Sequence, residues 1–238
     1  MEKPPIEAWP GLDILDSLDG GSRVSTFRGE YAGIAVVVRR SLRSTAAIDW
    51  ELELLDHLSH AGVRVPEIIP SVDGLRHVSG WHMYRYIPGR VAGHRDLATL
   101  HESAKQVHGA TAGWTQRPGF RDAATLISRN RGGDIDLQAV PADLAARIRA
   151  AWEAVQPQPS AVVHGDLGPG NTIITPDGDV ALIDWDEARA DDPGFDTGIT
   201  PKWRTAQLAW EIATCWSKEP EYASNLASDF LQRSPDQP

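Results

Sequence analysis

Between residues 160 and 188 the sequence reads SAVVHGDLGPGNTIITPDGDVALIDWDEA, which spaces three oxygen-bearing side chains, Asp166, Asn171 and Asp184, along one short stretch. The apolar run 161–163 delivers His164, Gly165 and Asp166 into a glycine-rich loop. The runs TIIT and VALI then flank Pro176-Asp177-Gly178-Asp179, a hairpin signal. If those four residues form the loop, Thr175 pairs with Val180, and counting back along both strands places Asn171 directly opposite Asp184. Side chains so placed sit ~5 Å apart at Cβ. An amide oxygen and a carboxylate at that separation are hard ligands suited to Mg²⁺, which keeps waters and substrate phosphates as its other ligands. Asp166, on the adjoining loop, can face the same space. Each of these residues alone is an ordinary turn residue. What sets the stretch apart is the joint order: strand, His-Gly-Asp, four residues, Asn, hairpin, then Asp after an apolar strand.

The elements that must position this stretch divide the chain near Tyr86-Ile87-Pro88-Gly89, predicting a first lobe over 1–88 and a second over 89–238. In the first lobe, the turn residues Gly20, Gly21 and Ser22 precede two β-favouring runs separated by residues 29–33. Residues 34–38 form a continuous apolar, mostly β-branched run, predicted as a central strand buried on both faces and ending in Arg39-Arg40. Ser44 and Thr45 can cap a helix on which Ile48, Leu52, Leu55 and Leu58 share a face until Gly62 stops it. Short strands around an Asp73-Gly74 turn complete a small mixed lobe. From Arg95 onward the pattern is helical, with one helix ending at Gly113, another starting near Pro141 and a terminal helix or helix pair. Residues 113–137 read as a loop that orders only when something binds.

Composition narrows the function classes. A chain of 238 residues buries a real core, and its formal net charge of −10 opposes binding to nucleic-acid backbones or anionic lipid surfaces. Cationic small molecules suit that field better. Cys215, the one cysteine, forms no internal disulfide, and neither a secretory h-region nor a run of about twenty apolar residues is present. The expected location is the cytoplasm, with no nucleic-acid or membrane partner and an oligomeric state that composition leaves open.

HGDLGPGN followed by LIDWDEA resembles the catalytic loop and metal-binding segment of the aminoglycoside phosphotransferase and choline kinase-like family, whose members share the protein-kinase fold. GVRVPEII, YIPGR and AWEIATCW are similar to actinobacterial-type members. The resemblance implies an α+β, two-lobe kinase-like fold with a small β-rich, nucleotide-binding N-lobe and a mainly α-helical C-lobe holding the catalytic loop, metal site and acceptor site. It implies Asp166 as the base that orients or accepts the proton of the acceptor hydroxyl, Asn171 and Asp184 as Mg²⁺ ligands, and ATP or GTP as phosphoryl donor. Arg39 then stands where such kinases present a Lys to the phosphates, with Glu51 as its partner. The alternative is a solvent-facing Arg39 or Arg40 and a surface Glu51. Gly20, Gly21 and Ser22 match the loop over the phosphates, and Tyr86 lies at the nucleotide-binding lobe junction. His164 and Asp196 are implied as braces of the catalytic loop. Gly168 departs from the His that many relatives carry.

The acidic run Asp186, Glu187, Asp191 and Asp192 reads either as a solvated face or as carboxylates lining the acceptor site. The expected function is Mg²⁺-dependent transfer of a γ-phosphoryl group to a hydroxyl of a small molecule, with amine-bearing acceptors such as an aminoglycoside-type antibiotic or amino alcohol among the candidates. The competing expectation is a non-catalytic nucleotide-binding module. A protein kinase is disfavoured, because no A-P-E segment follows Asp184.

Overall fold

Turn and cap residues set the element boundaries much as the spacing of apolar residues requires. The structure, a computed structural model, describes residues 3–18 and 25–232, so the expected phosphate loop of Gly20, Gly21 and Ser22 lies outside the described residues. The strands β1 (Asp13–Ser17), β2 (Thr26–Tyr31) and β3 (Ile34–Arg40) precede α1 (Thr45–His60), and β4 (Ile68–Ile69), β5 (Trp81–Arg85) and β6 (Arg90–Val91) follow it. Next come α2 (Leu97–Ala110), α3 (Ala123–Leu126), β7 (Arg131–Gly132), β8 (Ile135–Asp136) and α4 (Ala142–Glu153). The chain continues through β9 (Ala161–Val163), β10 (Thr172–Ile174), β11 (Val180–Leu182) and β12 (Arg189–Asp191), and ends in α5 (Gly194–Thr197), α6 (Pro201–Cys215) and α7 (Pro220–Gln232).

Two compact units result: Met1–Ser103 with Leu167–Asp186, and Ala104–Asp166 with Glu187–Pro238. The chain therefore passes between units several times, where the sequence suggested a single passage after residue 88. Among the described residues no helix is long and apolar enough to cross a membrane.

The first unit is built on an antiparallel sheet of order β1-β2-β3-β5-β4. Ala32 and Gly33, at φ +50° and +76°, make the left-handed turn that lets β2 and β3 pair with the right twist. Val36 and Val38 are fully buried against Trp9, Phe27, Trp81 and Met83, whereas Ala35 is exposed and Val37 only half-buried. The apolar run is thus central in the sheet but not buried on both faces, because an antiparallel sheet needs full cover on one face only. The polar edge strand β1 has little apolar alternation and was not read from the sequence. Ser44 Oγ accepts from Ala47 N at 3.3 Å to start α1, and Gly62 at φ +84° follows its end. A second small sheet, β11-β10-β6, belongs to the same unit, and a parallel bridge from Arg64 to Ala181 ties it to the chain leaving α1.

The second unit is mainly helical. Ile148 and Trp152 of α4, Trp210 and Ile212 of α6 and Phe230 of α7 share one core with Val163 and Phe195. Trp152 donates to the Ala206 carbonyl at 3.2 Å, so the large ring is buried without leaving its N–H unpaired. The segment 113–137, which reads from the sequence as a loop, packs into this core. Ala123, Leu126, Ile135 and Leu137 enter the core, and a short hairpin, β7 with β8, spans the Arg-Gly-Gly-Asp stretch. Its apolar residues are too widely spaced to show helical or strand periodicity.

Candidate active site

The hairpin carrying Asn171 and Asp184 closes one residue earlier than the count from sequence suggested. Ile174 pairs with Val180 and Thr172 with Leu182, while Thr175 N donates to Asp179 O at 2.9 Å. The loop proper is Pro176-Asp177-Gly178, with Gly178 at φ +89° supplying the left-handed residue of a three-residue turn. Asn171 consequently lies opposite Ile183, whose N–H it accepts at 2.9 Å, and not opposite Asp184.

Asp184 leaves the ladder with φ +62°, a left-handed conformation costing of order 1–3 kcal/mol in a residue with a Cβ, which persists only where the surroundings fix it. Upstream, Ile183 is held by Asn171. Downstream, the buried Trp185 donates to the Leu182 carbonyl at 3.0 Å. Asn171 is held in turn: its N–H and the Thr172 hydroxyl both donate to the Gly168 carbonyl, at 3.1 and 2.9 Å.

Arg39 meets this strained residue directly. Its Nη1 lies 2.7 Å from Asp184 Oδ1 and its Nη2 3.8 Å from Asp186 Oδ1. Burial opposes the guanidinium charge, but the fields of Asp184, Asp186 and Glu51 outweigh it and raise Arg39 above its ordinary value. Glu51, expected as the partner, is buried on α1 within this cluster and accepts a hydrogen bond from Tyr84 at 3.4 Å. Of the two sequence alternatives, a solvent-facing Arg39 and a surface Glu51 is excluded, since both side chains are buried.

His82, opposite Arg39 on β5, escaped sequence reasoning altogether. It is buried edge-on to Tyr84, and burial together with Arg39 pushes it down to about 3. Tyr86 continues β5: its N–H donates to Ala35 O at 3.0 Å and its ring lies 4.9 Å from the Arg28 guanidinium. It lines a cavity of about 520 Å³ with Arg64, Glu67, Arg85 and Asp177, a lining that includes none of Arg39, Asn171 and Asp184.

Asp166 belongs to the other unit, exposed on the loop that leaves β9. That loop is fastened from behind by Asp196. Its Oδ2 accepts from His164 N at 2.8 Å and faces His108 Nε2 at 2.9 Å, and its Oδ1 accepts from Gly165 N at 3.0 Å. Burial disfavours the Asp196 charge, yet the His108 hydrogen bond and the charges and N–H groups around it prevail and hold the carboxyl below its ordinary value. Gly165, at φ +85°, has no room for a Cβ, which would stand 2.4 Å from Glu187 O.

The acidic run proves largely structural. Asp191 is fully buried, accepting from Arg189 Nε at 2.8 Å and Asp192 N at 2.9 Å. Asp192 accepts from Gln158 N and Gly194 N, both at 2.8 Å. Asp186 is gripped by Arg43. Carboxylates committed to backbone donors and arginines are not a freely solvated face. Arg189 lies over the Trp210 ring at 3.4 Å, which explains why a strand as polar as β12 is buried.

Comparison with known proteins places the chain in a family. Residues 17–222 match the phosphotransferase enzyme family, and the chain belongs to that family. An uncharacterized protein of Deinococcus radiodurans is 33% identical over 207 residues, covering 78% of this chain and 59% of that protein, so the match spans under two thirds of the relative's length. Among solved structures, a choline kinase from Streptococcus pneumoniae is similar at 14% identity and a TM-score of 0.62, covering 92% of this chain and 93% of that one. An amicoumacin kinase solved with AMP-PNP, Ca²⁺ and Ami is similar at 15% identity and a TM-score of 0.59, covering 93% of this chain and 71% of that one. The α+β, kinase-like fold expected from the motifs is therefore the fold of this chain, with a sheet-based N-terminal region and a helical C-terminal part.

Proposed function

We propose that this protein transfers the γ-phosphoryl group of a nucleoside triphosphate to a hydroxyl of a small molecule in the cytoplasm. The observation that carries the reading is the Arg39–Asp184 contact of 2.7 Å at a backbone position strained into φ +62°. Strain of this kind accumulates where a side chain must be aimed. Asp184 is half-exposed despite its ion pair, and its carboxylate and the Asn171 amide offer the hard oxygens that Mg²⁺ takes. In this reading they hold the ion, which when bound neutralises charge on the nucleotide phosphates. Arg39 adds fixed positive charge beside the same phosphates, and Asp166 orients the acceptor hydroxyl and receives its proton. Positioning and charge neutralisation supply most of the rate in such chemistry, so this small set suffices.

For the acceptor, we favour an amine-bearing alcohol. With Asp191, Asp192 and Asp196 committed to backbone donors, support for that class rests on the formal net charge of −10 and on the choline and amicoumacin kinases among similar structures. The test is a panel of amino alcohols, aminoglycoside-type antibiotics and neutral sugars, assayed for ATP and GTP consumption with mass detection of the phosphorylated product. Product from an amine-bearing acceptor supports the reading, and turnover with neutral acceptors alone refutes the preference for an amine.

A second reading, a nucleotide-binding module without turnover, is favoured by one observation: Arg39 in place of the Lys expected at this strand end, already paired with Asp184. Nucleotide binding without consumption across the panel would decide for it.

A further inference from the structure

Arg43 lies in the short connection between β3 and α1, one residue before the cap Ser44. The connection is fixed along its length. Ser41 N donates to Gly80 O at 2.9 Å, Arg43 N donates to Ser41 Oγ at 3.2 Å, and Ser44 caps α1. Gly80, at φ +83°, has no room for a side chain, since a Cβ there would stand 2.5 Å from Ser41 O.

From this anchored loop Arg43 grips Asp186 at three places. Nη2 lies 2.7 Å from Oδ2, Nε 3.3 Å from Oδ1, and Nη2 3.4 Å from the Asp186 carbonyl oxygen. Both side chains are largely shielded, with exposures of 11% and 16%, so the pair is neither screened nor mobile in the manner of a surface ion pair. Asp186 Oδ1 also faces Arg39 Nη2 at 3.8 Å, and Arg39 Nη1 contacts Asp184 at 2.7 Å. Positive and negative charges thus alternate from Arg43 through Asp186 and Arg39 to Asp184.

We propose that Arg43 is a positioning residue for binding of the metal-nucleotide complex. By holding both the side chain and the carbonyl of Asp186, it fixes the downstream end of the strained Asp184. Upstream, the Ile183–Asn171 hydrogen bond does the corresponding work. The planar fork of arginine is required, because a lysine reaches one oxygen and leaves the carbonyl and the second oxygen unheld. The proposal rests on Asp184 being a Mg²⁺ ligand, as in the function proposed above.

The test is calorimetry of ADP binding to the whole protein, with Mg²⁺ and with a chelator, for wild type, Arg43→Lys, Arg43→Ala and the double variant Arg43→Ala/Asp186→Asn, with thermal melts alongside. Partners that orient a metal ligand typically alter metal affinity by about 10–100-fold. Arg43→Ala is expected to weaken binding with Mg²⁺ about tenfold or more and to change metal-free binding less than about twofold. Arg43→Lys should fall between, and the double variant Arg43→Ala/Asp186→Asn should be no weaker than Arg43→Ala alone. Equal losses with and without Mg²⁺, or no loss, overturn the proposal. Should Arg43→Ala fail to fold, Arg43→Lys carries the same comparison, and a Mg²⁺-selective loss in it supports the role. A wild-type protein whose ADP affinity ignores Mg²⁺ refutes the assignment of Asp184 itself, a result distinguishable from any Arg43 effect.

Discussion

Asp196→Asn replaces a single oxygen by an NH₂ group, and at this position the change cannot be accommodated by rotation. Oδ1 serves Gly165 N at 3.0 Å, and Oδ2 serves His164 N at 2.8 Å and faces His108 at 2.9 Å. Whichever way the amide turns, its NH₂ confronts one of the two backbone N–H groups. One donor at a buried site is left unsatisfied, at about 1–3 kcal/mol. In a chain of this length each kcal/mol moves the melting temperature by about 2–4 °C, so the expected fall is roughly 2–12 °C at neutral pH. The orphaned N–H belongs to the residue before Asp166 or the one before that, so the loop relaxes where its carboxylate must be aimed. A misplacement of about 1 Å there costs on the order of 10²-fold in turnover. A melt by circular dichroism and a steady-state assay on the same preparation measure both effects. An Asn variant that melts within about 1 °C of wild type and turns over normally would show that Asp196 neither satisfies these donors nor positions the loop.

Three further outcomes are expected. Asp166→Asn keeps shape and removes the basic oxygen, so turnover should fall roughly 10²-fold or more while nucleotide binding by calorimetry stays at the wild-type level, and wild-type turnover would remove Asp166 from the role of base. Arg39→Ala removes charge-assisted contacts worth about 1.5–3 kcal/mol and should weaken nucleotide binding about tenfold or more, whereas Arg40→Ala, on the opposite face of β3, should change it less than about twofold; the reverse ranking would place the wrong arginine in the site. His82 titrates near 3 in the folded chain against about 6.5 when unfolded, so the folded state binds fewer protons in that window; its contribution is intact above about pH 6.5 and is lost as pH falls. Between pH 6.5 and 5 that loss is about 1.6 kcal/mol, and denaturant unfolding of His82→Phe should show an acid-side decline smaller by that amount, while an unchanged decline would mean that His82 is not held neutral.

The parts of the fold legible in the sequence were those with local causes. Ser44 and the spacing of Ile48, Leu52, Leu55 and Leu58 define α1 without help from the rest of the chain, and Pro176-Asp177-Gly178 marks a turn wherever it occurs. The register of that hairpin was not legible. A four-residue and a three-residue loop share the same residues, and only the bond from Thr175 to Asp179 selects between them. The left-handed backbone of Asp184, outside the ladder, was likewise not written in any local residue pattern. Nor could composition reveal that Asp191 and Arg189 are buried together, because the partners that make burial tolerable, Ala123 N and the Trp210 ring, lie far away in sequence. Asp166, Asn171 and Asp184 stood out by joint spacing, whereas Arg43 and His82 take their meaning from cross-strand and loop contacts that no linear pattern records.

Phosphorus NMR of the protein with Mg²⁺, ATP and its best amine-bearing acceptor, run in parallel on wild type and Asp166→Asn, tests the central claim most directly. A phosphomonoester signal on the acceptor should grow in the wild-type sample as the γ-phosphate signal declines, and should be all but absent with the variant. A nucleotide spectrum that stays unchanged with the wild-type protein across acceptors, while calorimetry shows the nucleotide bound, would contradict the assignment of phosphoryl transfer to this site.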